Sequence, residues 1–196
     1  MAIEISEKMT VDVPIEAAWR FISDAGRVAP CLPGAELVEQ VDDNTYLGKA
    51  KVKLGAITTA YKGEVVFDQI DEASHTMHLT GQGRETGGGT ARGTLEVKLV
   101  SQPDGRVEMN FDIRVDLTGR VMQMGRGMIK GVSAQLFKQF AENSRAALED
   151  EAAGRTDAPA SSETENAPLA VGALVGRTLW QMLVDFFKRL FGRKPA

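Results

Sequence analysis

The chain has few of the residues from which disulfides and metal sites are built. Among its 196 residues are one cysteine, Cys31, and two histidines, His75 and His78. A single cysteine excludes an intrachain disulfide, so nothing indicates an oxidising compartment. The two histidines have opposite parity on one predicted strand and cannot both face the interior, and no spacing typical of zinc ligands occurs. We therefore predict neither a disulfide nor a metal site.

The chain also lacks an excess of positive charge and an N-terminal leader. Its net charge is -4 and its pI is about 5.3, so we expect no nucleic-acid partner. The first residues, MAIEISEKMTV, have no basic region followed by an apolar run. They do not resemble a signal peptide, and a cytoplasmic body is expected.

Motifs of catalytic sites are weak or missing. The Gly125-Arg126-Gly127 segment lacks the third glycine of a dinucleotide-binding turn, and the Gly-rich stretch 81–89 lacks the G-K-[ST] ending of a phosphate loop. No G-x-S-x-G occurs. Cys31 has no cationic neighbour and is interpreted as a small buried residue. Carboxylates lie mainly on the outward parity of the strands, so no inward acid–base pair is visible.

Strands are strongly indicated. Apolar and polar residues alternate in 46–56, 91–99 and 107–117, a pattern typical of an antiparallel sheet with one buried and one solvated face. Further strands are predicted at 2–11, 35–41, 58–70 and 75–82. The row Lys49, Lys51 and Lys53 is interpreted as a solvated face of the kind that edge strands often carry. Arg84 and Glu85 either hold a polar headgroup at a pocket mouth or, the interpretation favoured here, form a solvated pair in a turn.

Helices are predicted in two regions. Pro14 is suited to a first helical turn, Ile15, Ala18, Trp19 and Ile22 share a face, and 24–26 is expected to end this helix. A short helix follows around Val28 and Cys31. A long helix is predicted from about 121 to 152. Its apolar stripe consists of Met128 or Ile129, Val132, Leu136, Phe137, Phe140, and Ala147 or Leu148.

The C-terminal part differs in composition from the body. We predict a globular domain at 1–153, a flexible polar linker at 154–167 and an amphipathic helix at 168–196. Arg177 and Asp185 disfavour a spanning helix, so the helix is expected to lie in a membrane interface. The residues predicted to contact the membrane are Leu179, Trp180, Leu183, Phe186, Phe187, Lys188, Arg189, Leu190 and Phe191.

The order of elements resembles the helix-grip fold of START-like proteins. The resemblance implies an α+β domain in which a curved antiparallel sheet wraps around a long C-terminal helix with an apolar cavity between them. Small inward residues such as Gly48, Gly63 and Gly93 fit a sharply bent sheet. They fit close helix packing equally well.

Four segments carry a more specific resemblance. They are VAPCLPGAELVE (28–39), YLGKAKVKLGAIT (46–58), YKGEV (61–65) and GTARGTLEVKL (89–99), in this order within roughly 1–150. With them the chain resembles CoxG, a family of carbon monoxide dehydrogenase subunits within the START-like (SRPBCC) superfamily. The resemblance implies a non-catalytic accessory protein of a carbon monoxide dehydrogenase-type molybdenum hydroxylase.

The resemblance also implies a ligand and a location. The protein would recruit the dehydrogenase to the cytoplasmic face of the inner membrane and bind its electron acceptor, a membrane quinone (menaquinone or ubiquinone), without a covalent cofactor. Burial of each methylene of an isoprenoid tail contributes about 0.8 kcal/mol. The residues predicted to line the cavity are Leu54, Tyr61, Phe67, Met77, Leu79, Leu95, Val97, Phe111, Ile113, Val115, Met122, Met124, Met128, Ile129, Leu136 and Phe140.

Three alternatives stay open. The first is a pure membrane-recruitment factor with no ligand. The second is a START-like enzyme of the cyclase or aromatase type, for which only Tyr61 and Arg84 are candidate acid–base residues. The third is a lipid shuttle without an enzyme partner.

Overall fold

The structure, a computed structural model, describes residues 2–54 and 57–154. Strand β1 (Ala2–Val11) is followed by helices α1 (Ile15–Ile22) and α2 (Ala25–Val28) and by a 3-10 turn (Ala29–Cys31). Six strands come next: β2 (Ala35–Gln40), β3 (Thr45–Leu54), β4 (Ile57–Asp71), β5 (Thr76–Glu85), β6 (Thr90–Ser101) and β7 (Val107–Leu117). A second 3-10 turn (Arg120–Met124) leads into helix α3 (Arg126–Ala152).

The described strands form one antiparallel sheet in the order β1-β7-β6-β5-β4-β3-β2. The predicted strands are confirmed, with ends shifted by a few residues, and so is the predicted α+β fold of sheet and long helix. β1 and β2 are consecutive in the sequence but occupy opposite edges. The lysine row lies on β3, which β2 covers, so its interpretation as an edge-strand feature is wrong. Lys49 pairs with Glu36 of β2 at 3.1 Å.

The inner face of the sheet is tightly packed at one end only. Along β7, Val107, Met109 and Phe111 are buried, whereas Ile113, Val115 and Leu117 are half-buried. The same change occurs on β6, from buried Val97 and Leu99 to half-buried Ala91, Gly93 and Leu95. The side chains of α1, with Trp19 and Phe21 at 5% and 1% exposure, fill the packed end. The two ends of the inner face therefore offer different environments.

Helix α3 follows the same division. Its buried residues are Ile129 near the start, then Phe140, Ala141, Ser144 and Leu148 in the second half. Phe111, Phe137 and Phe140 form a cluster of edge-on and tilted rings with centroids 5.2–5.9 Å apart. In the first half, Met128 is 51% exposed, so Ile129 is the buried member of the predicted pair. The second half thus holds the helix to the sheet.

Two predicted helix boundaries are wrong. Asp24 does not end a helix but caps the start of α2, because its carboxylate accepts hydrogen bonds from the N–H groups of Gly26 (2.8 Å) and Arg27 (3.3 Å). The long helix begins at Arg126 and not near 121, because Gly125 adopts a left-handed φ of 76° between the 3-10 turn and the helix.

The predicted linker at 154–167, apart from its first residue, and the predicted helix at 168–196 lie outside the described residues. Within the described ranges, no helix combines the length and hydropathy needed to cross a bilayer.

Substitutions at the two ends of α3 should have unequal effects. Phe140→Ala removes a buried ring from the aromatic cluster and is expected to lower the free energy of unfolding by about 3–5 kcal/mol. Met128→Ala, at a half-exposed position, is expected to change it by less than about 0.5 kcal/mol. Chemical denaturation of both variants measures the difference. Similar losses would mean that the first half of α3 is packed as tightly as the second.

Candidate functional site

A cleft lies between the first half of α3 and the β3 side of the sheet. Its volume is about 400 Å³, and its lining mixes apolar and polar residues: Pro33, Gly34, Lys51, Val52, Lys53, Gly131, Val132, Gln135, Leu136 and Gln139. This volume falls within the range of about 300–1,000 Å³ that is common for small-molecule sites. An enclosed, fully apolar cavity, as the fold resemblance implies, stays a prediction.

Gly34 shapes one wall of the cleft. Its φ of 75° is left-handed, and a Cβ there would lie 2.2 Å from the backbone oxygen of Lys51. The Lys51 N–H donates to the Gly34 carbonyl at 2.8 Å. Only glycine permits this close approach, so the Pro33-Gly34 turn is fixed against β3 at the entrance of the cleft.

A polar cluster lies on the inner face of the sheet beside this cleft. Tyr61 of β4 and Glu85 of β5 are direct cross-strand partners, and Thr59 lies two residues before Tyr61 on the same face. Thr59 in turn pairs with Val52, which lines the cleft. Thr59 is 1% exposed, Glu85 is 7% exposed, and the hydroxyl oxygen of Tyr61 is buried. The cluster therefore extends the cleft across two strands.

The three side chains share a second property. Thr59 Oγ1, Tyr61 Oη and Glu85 Oε2 have no hydrogen-bond partner among the described residues. A buried polar group left unpaired costs about 1–3 kcal/mol, and native proteins retain few of them. Three such atoms on neighbouring residues indicate a place where hydrogen bonds are left for another molecule.

Glycines make the space that the Glu85 carboxylate occupies. A Cβ at Gly89 would lie 2.7 Å from Glu85 Oε2 and 2.6 Å from the Thr118 carbonyl oxygen. A Cβ at Gly119, whose φ is 85°, would lie 2.6 Å from Gly89 Cα. The Gly-rich turn after β5, predicted only as a hairpin, thus also forms a notch around a buried acid.

The electrostatic environment of the cluster is asymmetric. Burial raises the pKa of Tyr61 above its ordinary value of 10.0; the nearby Thr59 hydroxyl offsets part of the rise, and the charge of Glu85 adds to it. The exposed Arg120 lies on the far side of Gly87: a Cβ there would be 2.3 Å from Arg120 Nη2 and 3.2 Å from Glu85 Oε1. The cluster therefore presents a neutral phenol and an acid next to a cation.

The predicted lining residues fall into two groups. Seven are buried, six of them in the main core cluster: Phe67, Met77, Leu79, Val97, Phe111, Ile129 and Phe140. Another seven are half-buried and have surface left for a ligand: Tyr61, Leu95, Ile113, Val115, Met122, Met124 and Leu136. Met128 is 51% exposed, and the side chain of Leu54 lies outside the described part of the chain. The cleft takes in Leu136 of the predicted set. Ligand contact by any of them stays a prediction.

Sequence reasoning missed two residues of the polar cluster. The interpretation of Arg84 and Glu85 as a solvated turn pair is wrong for Glu85, which is buried, while Arg84 is exposed. The signal was present in the parity of β5, since Met77, Leu79 and Glu85 are all odd-numbered and face inward. Thr59 was detectable in the same way from its parity with Tyr61.

Other candidate reactive residues have structural surroundings. Burial raises the pKa of the Cys31 thiol, which fits the predicted small buried residue. His75 packs edge-on against Trp19, and His78 lies 3.1 Å from Asp68 on the outer face. No group of metal-binding side chains occurs in the part of the chain that the structure describes.

The fold defines the class of protein. The solved structure of a conserved protein from Geobacillus kaustophilus has a TM-score of 0.70 at 15% identity and covers 76% of this chain and 97% of its own. An aromatase/cyclase, ZhuI from Streptomyces sp. R1128, has a TM-score of 0.58 at 11% identity, with coverages of 78% and 96%. A START superfamily protein from Mycobacterium smegmatis has a TM-score of 0.52 at 13% identity, with coverages of 76% and 98%. The domain is therefore START-like.

The family follows from the sequence profile of CoxG, a carbon monoxide dehydrogenase subunit, which matches residues 8–149. The chain belongs to the CoxG family. No curated protein matches it closely enough to establish a relationship.

Ionisation of Tyr61 tests its described environment. The chain has two tyrosines, so the absorbance titration of the protein minus that of Tyr61→Phe isolates one phenol. We expect a midpoint above 10, because burial and the Glu85 charge disfavour the phenolate. Since the folded-state pKa is the higher one, stability that Tyr61 contributes below pH 10 is lost as the pH rises through that pKa.

Chemical denaturation of both proteins between pH 8 and roughly pH 11 gives the matching measurement, and the fall should be smaller in Tyr61→Phe. A midpoint at or below 10 would contradict the buried position of the hydroxyl.

Proposed function

We propose that this CoxG family member is a non-catalytic carrier that binds a membrane quinone and couples a carbon monoxide dehydrogenase-type molybdenum hydroxylase to the quinone pool. The observation that carries the proposal is the divided inner face of the sheet. Packing between sheet and helix stops halfway along α3, and the open half contains a cleft of about 400 Å³ with a polar cluster beside it. Family membership supports the dehydrogenase as partner.

The lining suits a ligand with an apolar tail and a polar head. Val52, Val132 and Leu136 supply apolar surface in the cleft, and the half-buried Met122 and Met124 lie in the turn before α3. Unbranched methionine side chains adapt to a chain that changes its conformation. Each buried methylene contributes about 0.8 kcal/mol, so a few isoprene units are enough to hold a quinone that is nearly insoluble in water.

The predicted amphipathic helix at 168–196 would bring the domain to the cytoplasmic face of the inner membrane. Its apolar residues, among them Trp180, Phe186 and Phe187, would enter the interface, and Lys188 and Arg189 would meet anionic headgroups. The linker would allow the domain to reach the dehydrogenase while the tail stays bound. This arrangement explains a hydrophobic carrier that collects its cargo from a bilayer.

Native mass spectrometry of the full-length protein, followed by lipid extraction, tests the carrier. We expect one quinone per chain. Leu136→Asp, which places a charge in the cleft, should lose it, whereas Val100→Asp, at an exposed position away from the cleft, should keep it. An empty protein that also fails to bind added quinones would contradict the proposal and favour a pure recruitment factor.

Removal of the tail tests membrane coupling. A chain ending at Gly154 should lose most of its co-sedimentation with vesicles that contain anionic lipid, while the replacement of Lys188 and Arg189 by Gln should make residual binding insensitive to salt. Undiminished vesicle binding by the shortened chain would show that the tail is not the anchor.

A second candidate function is a START-like enzyme. The observation that favours it is Glu85, an inward carboxylate directly opposite Tyr61, because acid–base chemistry needs such a pair of groups in a pocket. Recovery of a bound quinone that is chemically unchanged after incubation supports the carrier. Conversion of a bound aromatic precursor that stops in Tyr61→Phe would support the enzyme.

A further inference from the structure

The proposed carrier function leaves the chemistry of the polar cluster unexplained. An isoprenoid tail needs only apolar surface, yet Thr59, Tyr61 and Glu85 place three unpaired polar atoms inside the fold. Glu85 is the most unusual of them, since it is 7% exposed and is enclosed by the glycines of two turns. A larger residue at Gly89 would displace the Thr118 carbonyl or the carboxylate itself.

The hydrogen-bonding capacity of the three groups differs. An ionised carboxylate only accepts hydrogen bonds, whereas the hydroxyls of Thr59 and Tyr61 both donate and accept. The Arg120 guanidinium, across Gly87 from the carboxylate, favours the ionised form through its positive charge. A ligand that pairs with Glu85 must therefore offer an N–H or O–H donor.

The two redox states of a quinone differ in this respect. The oxidised head has carbonyl oxygens that only accept hydrogen bonds, while the hydroquinone carries two O–H groups that donate. Next to Glu85 a carbonyl would place two acceptors together, whereas a hydroquinone O–H would form a charge-assisted hydrogen bond. The cluster therefore distinguishes donor from acceptor at one position.

We propose that Thr59, Tyr61 and Glu85 form the subsite for the polar head of the ligand and that Glu85 makes it selective for a hydroxyl-bearing aromatic head, the hydroquinone over the quinone. This inference rests on the proposed function. Thr59 and Tyr61 hold either form, and the tail occupies the cleft beyond Val52, the cross-strand partner of Thr59.

The selectivity has a consequence for electron transfer. A site that binds the reduced form more tightly raises the two-electron reduction potential of the bound couple, by about 30 mV for each tenfold difference in affinity. The bound quinone becomes a better electron acceptor than the same quinone in the membrane. This direction suits a protein that presents a quinone to a dehydrogenase.

The test compares the affinities of both redox forms. The probe is a naphthoquinone with one isoprene unit and its hydroquinone, each titrated into the full-length protein by calorimetry without oxygen. We expect the hydroquinone to bind at least about tenfold more tightly, the effect of one hydrogen bond to a charged group. The potential of the bound couple should rise accordingly by about 30 mV or more.

Glu85→Gln is the decisive variant, because it keeps the shape of the side chain and adds an N–H donor. It should weaken hydroquinone binding about tenfold or more and leave quinone binding unchanged or stronger. Glu96→Gln is the matched control: Glu96 lies exposed on the outer face of β6, and its loss should leave both affinities unchanged. Circular dichroism and thermal unfolding verify that each variant is folded.

Each other outcome overturns the inference. Equal affinities in the unmodified protein, or tighter binding of the quinone, would show that Glu85 does not select a donor, while the carrier function would stand. An unchanged affinity ratio in folded Glu85→Gln would have the same meaning. Binding of neither form would overturn the carrier function as well. Should Glu85→Gln fail to fold, the affinity ratio and the potential of the unmodified protein decide alone.

Discussion

The rest of the structure depends on one constraint: only the second half of α3 packs tightly against the sheet. The ring cluster of Phe111, Phe137 and Phe140 holds the helix there, and the side chains of α1 fill the space beside it. Since interiors pack at crystal-like density, this end has no room for a ligand. The first half of the helix then lies over an inner face whose residues shrink to Ala91 and Gly93 and stay half-buried. Stability and binding are thus assigned to opposite ends of the same two elements.

The open end carries a cost that the packed end offsets. Three buried polar atoms without partners destabilise the folded state by about 1–3 kcal/mol each, and Gly89 and Gly119 add the conformational freedom that glycine loses on folding. A fold that serves only as an inert spacer has no use for this arrangement. A carrier does, because the hydrogen bonds missing in the empty protein are formed when the head of a ligand enters. Binding then also rigidifies the turns after β5 and β7.

Much of the fold was predictable from the sequence, and much of the site was not. Alternation in 107–117 predicted β7 with its bounds, because one face of that strand points to the interior along its whole length. The start of α3 was not predictable to the residue, since 120–124 has helical composition and only the left-handed Gly125 separates it from the helix. Glu85 was misassigned because a charged residue beside a Gly-rich turn is normally solvated, and its burial depends on Gly89 and Gly119, which are distant from each other in the sequence. Parity alone pointed to the correct face.

The most direct measurement of the central claim is a crystal structure of the full-length protein with a bound naphthohydroquinone that carries one isoprene unit. The account predicts ligand density along Val52 and Leu136 in the first half of α3, with one ligand oxygen within hydrogen-bond distance of Glu85 and the Phe111–Phe137–Phe140 cluster unchanged. Density within that aromatic cluster, or on the outer face of the sheet with Glu85 still unpaired, would contradict it.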